Sequence, residues 1–163
     1  GPALFALRKK PAVMRARTIA AGDALHALPE VDPDRIAAIG FCFGGQCARE
    51  LARSGADVKA LVSFHGSLLT TRRPAEPGAI RGKVMVLTGA NDPFAPAKDV
   101  EKLRKELIEA QADWQITVYG EGYHGFTDPS ATGLRSLRGL RYDPLLDQLS
   151  WASATALLDA TLR

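Results

Sequence analysis

Four short apolar runs recur along the chain, separated by stretches of mixed polarity. They are Arg35 to Phe41 (RIAAIGF), Val58 to Phe64 (VKALVSF), Lys83 to Thr88 (KVMVLT) and Trp114 to Tyr119 (WQITVY). None is long enough for a typical helix, and all four read as strands. Arg35 to Phe41, which shows no alternation, and Lys83 to Thr88 predict strands buried on both faces of a parallel sheet. Between them, apolar positions at helical spacing predict helices over Pro11 to Leu28, Gly44 to about Arg53, Pro96 to Ala110 and Pro144 to Leu162. Pro29, the Asp32-Pro33-Asp34 turn and Gly55 punctuate the first two helices. Ser67 to Gly82, rich in Pro, Gly and Arg, reads as a surface connection. Strands alternating with helices imply βαβ units, hence an α/β fold with helices covering both sides of the sheet.

The first strand raises a question of completeness. Arg35 to Phe41 is apolar throughout and suits a central position, yet only a helix precedes it. A bare apolar edge is a liability that proteins cover or blunt with charge. We therefore expect residues 1–163 to form a partial domain whose N-terminal strands are missing, or whose first edge a second chain covers.

Composition narrows the class. A chain of 163 residues with 46% hydrophobic and 24% charged residues can build one core without disulfides or a structural metal. No segment is long and apolar enough to span a bilayer, and no secretory signal opens the chain. The net charge of +3 comes from scattered residues, Arg49 and Arg53 among them. They form no stripe interleaved with aromatics, so a solvated surface is expected rather than a nucleic-acid partner. The 2 cysteines, Cys42 and Cys47, lie outside zinc spacing and do not form a C-x-x-C redox pair. Free thiols point to a reducing compartment, the cytoplasm.

Chemistry concentrates where strands end. Gly40-Phe41-Cys42-Phe43-Gly44-Gly45 has the G-x-nucleophile-x-G form of a nucleophile elbow, after a buried strand and before a helix. Flanking glycines allow the sharp turn, the helix N-terminus favours a thiolate, and the Phe43 N–H supplies half of an oxyanion hole. Asp92, in the segment after the third strand, stands where a histidine-orienting acid belongs, although Asn-Asp-Pro is also ordinary turn chemistry. His124 follows the fourth strand in a glycine-flanked loop. Nucleophile, acid and histidine thus occur in the chain order of α/β-hydrolases. Of the other histidines, His26 lies in the first helix, and His65 ends the second strand on the same side as the elbow. His65, with Phe94 and Phe126, is a candidate for the substrate pocket, although a packing or hydrogen-bonding role is the expectation for His65. Ser63 and Ser67 have no elbow around them, which argues against a serine hydrolase or peptidase.

The GFCFGG elbow, the NDPF segment, the GYHGFTDP segment and the late helix with Tyr142, Ser150 and Trp151 together resemble the dienelactone hydrolase family. The resemblance runs from about Arg15 to the end of the chain. It implies a cysteine nucleophile at Cys42, with Asp92 and His124 completing a triad, an ester or lactone substrate of small size, and no metal or organic cofactor. Members of that family are usually longer at the N-terminus, where the first strands, the second oxyanion donor and a glutamate paired with the resting cysteine are found. Without them, a catalytically inert fragment or an interaction domain of the same fold is the alternative reading. The dienelactone-specific members also place an arginine shortly after the histidine. Here Gly125, Phe126, Thr127 and Asp128 follow, and an acid would repel a substrate carboxylate unless Arg135, Arg138 or Arg141 compensates.

Overall fold

The computed structural model describes residues 7, 10–68, 75–133 and 138–163. In chain order its elements are α1 (Pro11–His26), β1 (Ala37–Phe41), α2 (Phe43–Arg53), β2 (Ala60–Phe64), β3 (Lys83–Gly89), α3 (Ala97–Glu109), β4 (Trp114–Tyr119) and α4 (Pro144–Thr161). Proline opens α1 and α4 at the position where a missing N–H costs nothing. Asp143 caps α4 by accepting hydrogen bonds from Leu145 N and Leu146 N, both at 3.0 Å. A 3-10 turn over Pro33–Arg35, capped by Asp32, takes Arg35 out of the expected strand.

The four strands form one parallel sheet in the order β1-β2-β3-β4. Helices cover both faces. On one side Leu61, Val84 and Val86 pack with Ala48 and Ala52 of α2 and with Leu103 and Leu107 of α3. On the other, Val62, Phe64, Met85 and Leu87 pack with Ala154 and Leu157 of α4. Each buried Val, Leu, Met or Phe among them stabilises the fold by roughly 1.5–3 kcal/mol.

β3 matches the expectation of a strand buried on both faces, and β2 is buried throughout as well. β1 departs from it. In β4, which among the described residues pairs with β3 alone, exposed and half-buried residues are mixed. In β1, Ile39 is 40% exposed on one face and Phe41 44% exposed. Among the described residues β1 pairs with β2 alone, so an apolar sequence suited to an interior position lies at an edge.

Two further expectations are corrected. Arg49 and Arg53 are not solvated surface residues but are buried, together with Glu50 and Glu106. Arg53 pairs with Glu106 and Glu50, while Arg49 donates to the Ser67 carbonyl at 2.6 Å. Charges can be buried here because they neutralise one another and tie α2 to α3. The connection from Ser67 to Gly82 is likewise not all surface, since Leu68, Ala75 and Ile80 enter the core. Residues 69–74 lie outside the described residues, as do Arg72, Arg73 and Arg135. Among the described residues no helix is long and apolar enough to cross a membrane.

Candidate active site

Parallel strands all end at one rim of the sheet, and loops leaving that rim converge above it. Cys42 follows β1, His65 follows β2, Asp92 lies three residues beyond β3, and His124 five beyond β4.

Cys42 occupies the turn between β1 and α2 with φ of 52° and ψ of −117°, a conformation rare for a residue with a side chain. Its N–H donates to the Phe64 carbonyl at 3.0 Å, which continues the sheet one step past β1. The close approach that the turn demands falls on Gly40 and Gly45. A Cβ on Gly40 would stand 2.1 Å from the Gly44 carbonyl oxygen, and one on Gly45 2.4 Å from Ser63 Oγ. Gly44, by contrast, has nothing within 4 Å of that position. The steric need is therefore met by Gly40 and Gly45 rather than by the symmetrical pair around the cysteine. Gly40→Ala must displace backbone, and the expected loss is about 3 kcal/mol, or roughly 6–12 °C in Tm for a chain of this size. A calorimetric Tm within 2 °C of the parent (about 0.5–1 kcal/mol) would contradict the assigned turn geometry.

The three groups converge. Cys42 Sγ lies 2.9 Å from His124 Nε2, and His124 Nδ1 lies 2.9 Å from Asp92 Oδ2. The other carboxylate oxygen of Asp92 accepts from Phe94 N at 2.8 Å. Asp92 thus serves at once as turn cap and as histidine partner, the two roles that its sequence left open. The loop carrying His124 is fixed from both sides: His124 N donates to the Gly139 carbonyl and Arg141 N donates to the His124 carbonyl.

Electrostatics favour a charged imidazole. Burial alone would lower the His124 pKa, but the hydrogen bonds to Asp92 and Cys42 and the charges on both outweigh it, raising the value to about 9. Burial pushes the Cys47 thiol up, against a hydrogen bond from Thr18. That second thiol lies on α2 and faces a groove of about 620 Å³ bordered by α1 and β1.

The remaining candidates separate. Phe43 opens α2, so its N–H is among those with no acceptor inside the helix. Phe94 is 40% exposed and stands edge-on to the His124 ring at 4.8 Å. Phe126 does not line an open pocket: it is wholly buried against Tyr119 and His65, because its side chain points into the α4 face of the core. His65 is also buried, and its Nε2 lies 2.8 Å from Thr127 Oγ1. His26 ends α1. Thr127 was not singled out from the sequence; its one signal is its place three residues after His124. A hollow of about 510 Å³ beside the His124 loop is lined by Tyr123, Ala131, Thr132, Arg141 and Tyr142.

Comparison with known proteins agrees with this architecture. The chain is similar to the uncharacterized protein K02A2.1 of Caenorhabditis elegans, 30% identical over 146 residues, covering 89% of this chain and 92% of that protein. The solved structure m3DLH is 44% identical with a TM-score of 0.90, covering 99% of this chain and 67% of that one. An α/β-hydrolase from a deep-sea metagenome library, MGS-M1, shares the fold at a TM-score of 0.64 and 23% identity, covering 89% of this chain and 61% of that one. The chain spans only 44% of a Synechocystis relative and 38% of one from Yersinia pestis. A family model matches residues 3–162, nearly the entire length, and the chain belongs to the dienelactone hydrolase family.

Proposed function

We propose that this protein hydrolyses small carboxylic esters or lactones through a thioester at Cys42, with His124 carrying the proton and Asp92 orienting His124. The observation that supports it most is the unbroken chain of two 2.9 Å contacts from sulfur to imidazole to carboxylate. A proton shared between the Cys42 thiol and His124 passes to the imidazole, leaving a thiolate beside an imidazolium. The thiolate attacks the carbonyl carbon, and the carbonyl electron pair moves to oxygen, where the Phe43 N–H stabilises it. Collapse of that intermediate expels the alkoxide, which takes the proton from His124. His124 then removes a proton from water, the hydroxide adds to the thioester, and the acid leaves as the thiolate returns. Asp92 keeps the Nδ1–H tautomer in place throughout. Phe94, beside the imidazole and partly open, is the proposed wall of the substrate site. The open edge of β1, with Ile39 and Phe41 exposed, is proposed to be covered by a further N-terminal segment or a second chain.

Alkylation tests this directly. Iodoacetamide should modify Cys42 at least about tenfold faster than Cys47 at pH 7, since a thiolate reacts and a thiol does not. Loss of p-nitrophenyl acetate hydrolysis should follow Cys42 modification in step. Turnover that survives complete modification of Cys42 would remove the nucleophile from the scheme.

A further inference from the structure

The mechanism above leaves unused a buried histidine at the rim of the sheet, His65. We infer that His65 is a positioning residue: it binds Thr127 and abuts the His124 ring, so that the loop after β4 presents His124 to Cys42. The inference rests on the Cys42–His124 reading of the site.

His65 and Cys42 are adjacent in the sheet. Phe41 pairs with Phe64, so the next residue of each strand forms the following rank at the rim. Both have positive φ, 52° at Cys42 and 36° at His65, and neither is glycine. Such strain persists only where the surroundings hold it. His65 N donates to the Leu87 carbonyl at 2.8 Å, which anchors the strained residue to β3.

Packing alone does not account for a histidine here. The residue is 3% exposed, and its Nδ1 has no hydrogen-bond partner among the described residues. A phenylalanine would fill such a site without that polar cost. What the imidazole adds is Nε2, 2.8 Å from Thr127 Oγ1. The ring also stands edge-on to His124 at 5.3 Å between centroids and to Phe126 at 5.1 Å. His124, Phe126 and Thr127 belong to one turn, whose Gly125 has φ of 69°. His65 therefore touches that turn at three of its residues, and fixes the plane of the His124 ring as well as the path of its backbone.

Its charge state fits the role. The titratable groups that act on it are His124, Asp92 and Asp128. Burial, then repulsion from His124, pushes the His65 pKa down to about 4 against the pull of the two acids. A neutral ring leaves the positive charge to His124 at working pH.

The test follows the pH dependence of Cys42 alkylation, with Cys47 as internal reference, together with kcat and KM. Thr127→Val removes the hydroxyl at nearly constant volume, and His65→Phe removes the imidazole nitrogen. Both should lower Cys42 alkylation at pH 6.5 about tenfold, equivalent to raising its apparent midpoint by about one unit. Both should cut kcat about tenfold while KM stays within about threefold, because the loss lies in the transition state. Thr127→Ser and His65→Gln keep a hydrogen-bonding group and should restore most of each effect. If folded Thr127→Val shows the parental alkylation profile and kcat, the positioning role is overturned. If Cys42 of the unmodified protein reacts no faster than Cys47, the triad reading itself fails, and this inference falls with it.

Discussion

Cys42→Ala is expected to reduce hydrolysis of short p-nitrophenyl esters by at least about a thousandfold, because no other group at the elbow can form the acyl intermediate. What survives would come from substrate binding and the Phe43 N–H alone. The fold should tolerate the change. Cys42 is half-buried at a turn whose geometry is held by the glycines at 40 and 45, and alanine adds no volume. The thiol leaves only a small space, so Tm should move by no more than about 3 °C, within about 1 kcal/mol. Cys47→Ala, on the groove side of α2, is the matched control and should keep its activity. Steady-state rates and melting curves of the two variants separate chemistry from stability. Turnover by Cys42→Ala at more than a tenth of the parental rate would reject the cysteine as nucleophile.

Asp92→Asn should cost about 10²–10⁴ in kcat, the range expected when the orienting acid is replaced by its amide. The amide oxygen can still accept from Phe94 N, so the turn after β3 survives. Its NH₂ cannot accept from His124 Nδ1–H, so the imidazole turns to the tautomer that has no lone pair facing sulfur. A second effect appears in the pH profile. With Asp92 present, His124 stays protonated until about pH 9 although burial opposes the charge. Without it, the principal support for the imidazolium is lost and burial draws the pKa down. The imidazolium holds Cys42 as the thiolate that alkylating agents attack, so the midpoint at which Cys42 alkylation sets in should move to higher pH in Asp92→Asn. Ring-proton NMR should show the His124 midpoint moving to lower pH in the same variant. An unchanged kcat, or an alkylation midpoint that stays in place, would show that Asp92 serves only as a turn cap.

Much of the local structure was legible in the chain. The four apolar runs mark β1 to β4 to within about two residues, because burial excludes polar side chains from such a run. The three residues singled out for chemistry could be ordered along the sequence because each follows a strand, and strands of a parallel sheet end at one rim. Sequence reasoning failed where two alternatives share a pattern. Arg49 and Arg53 look like any surface arginines until Glu106, on another helix, comes within reach. Phe126 could face a pocket or a core, and only the packing of α4 decides between them.

Hydrophobic pattern and turn chemistry are properties of near neighbours, and they dictate which segments are strands and which residues sit at their ends. Which of those ends meet depends on contacts across 82 positions for Cys42 and His124, 32 for His124 and Asp92, and 62 for His65 and Thr127. Such distances carry no periodic signal, because crossover connections of arbitrary length lie between the partners. The exposed edge of β1 is of the same kind: its residues are those of an interior strand, and only the arrangement of the sheet leaves them open to water.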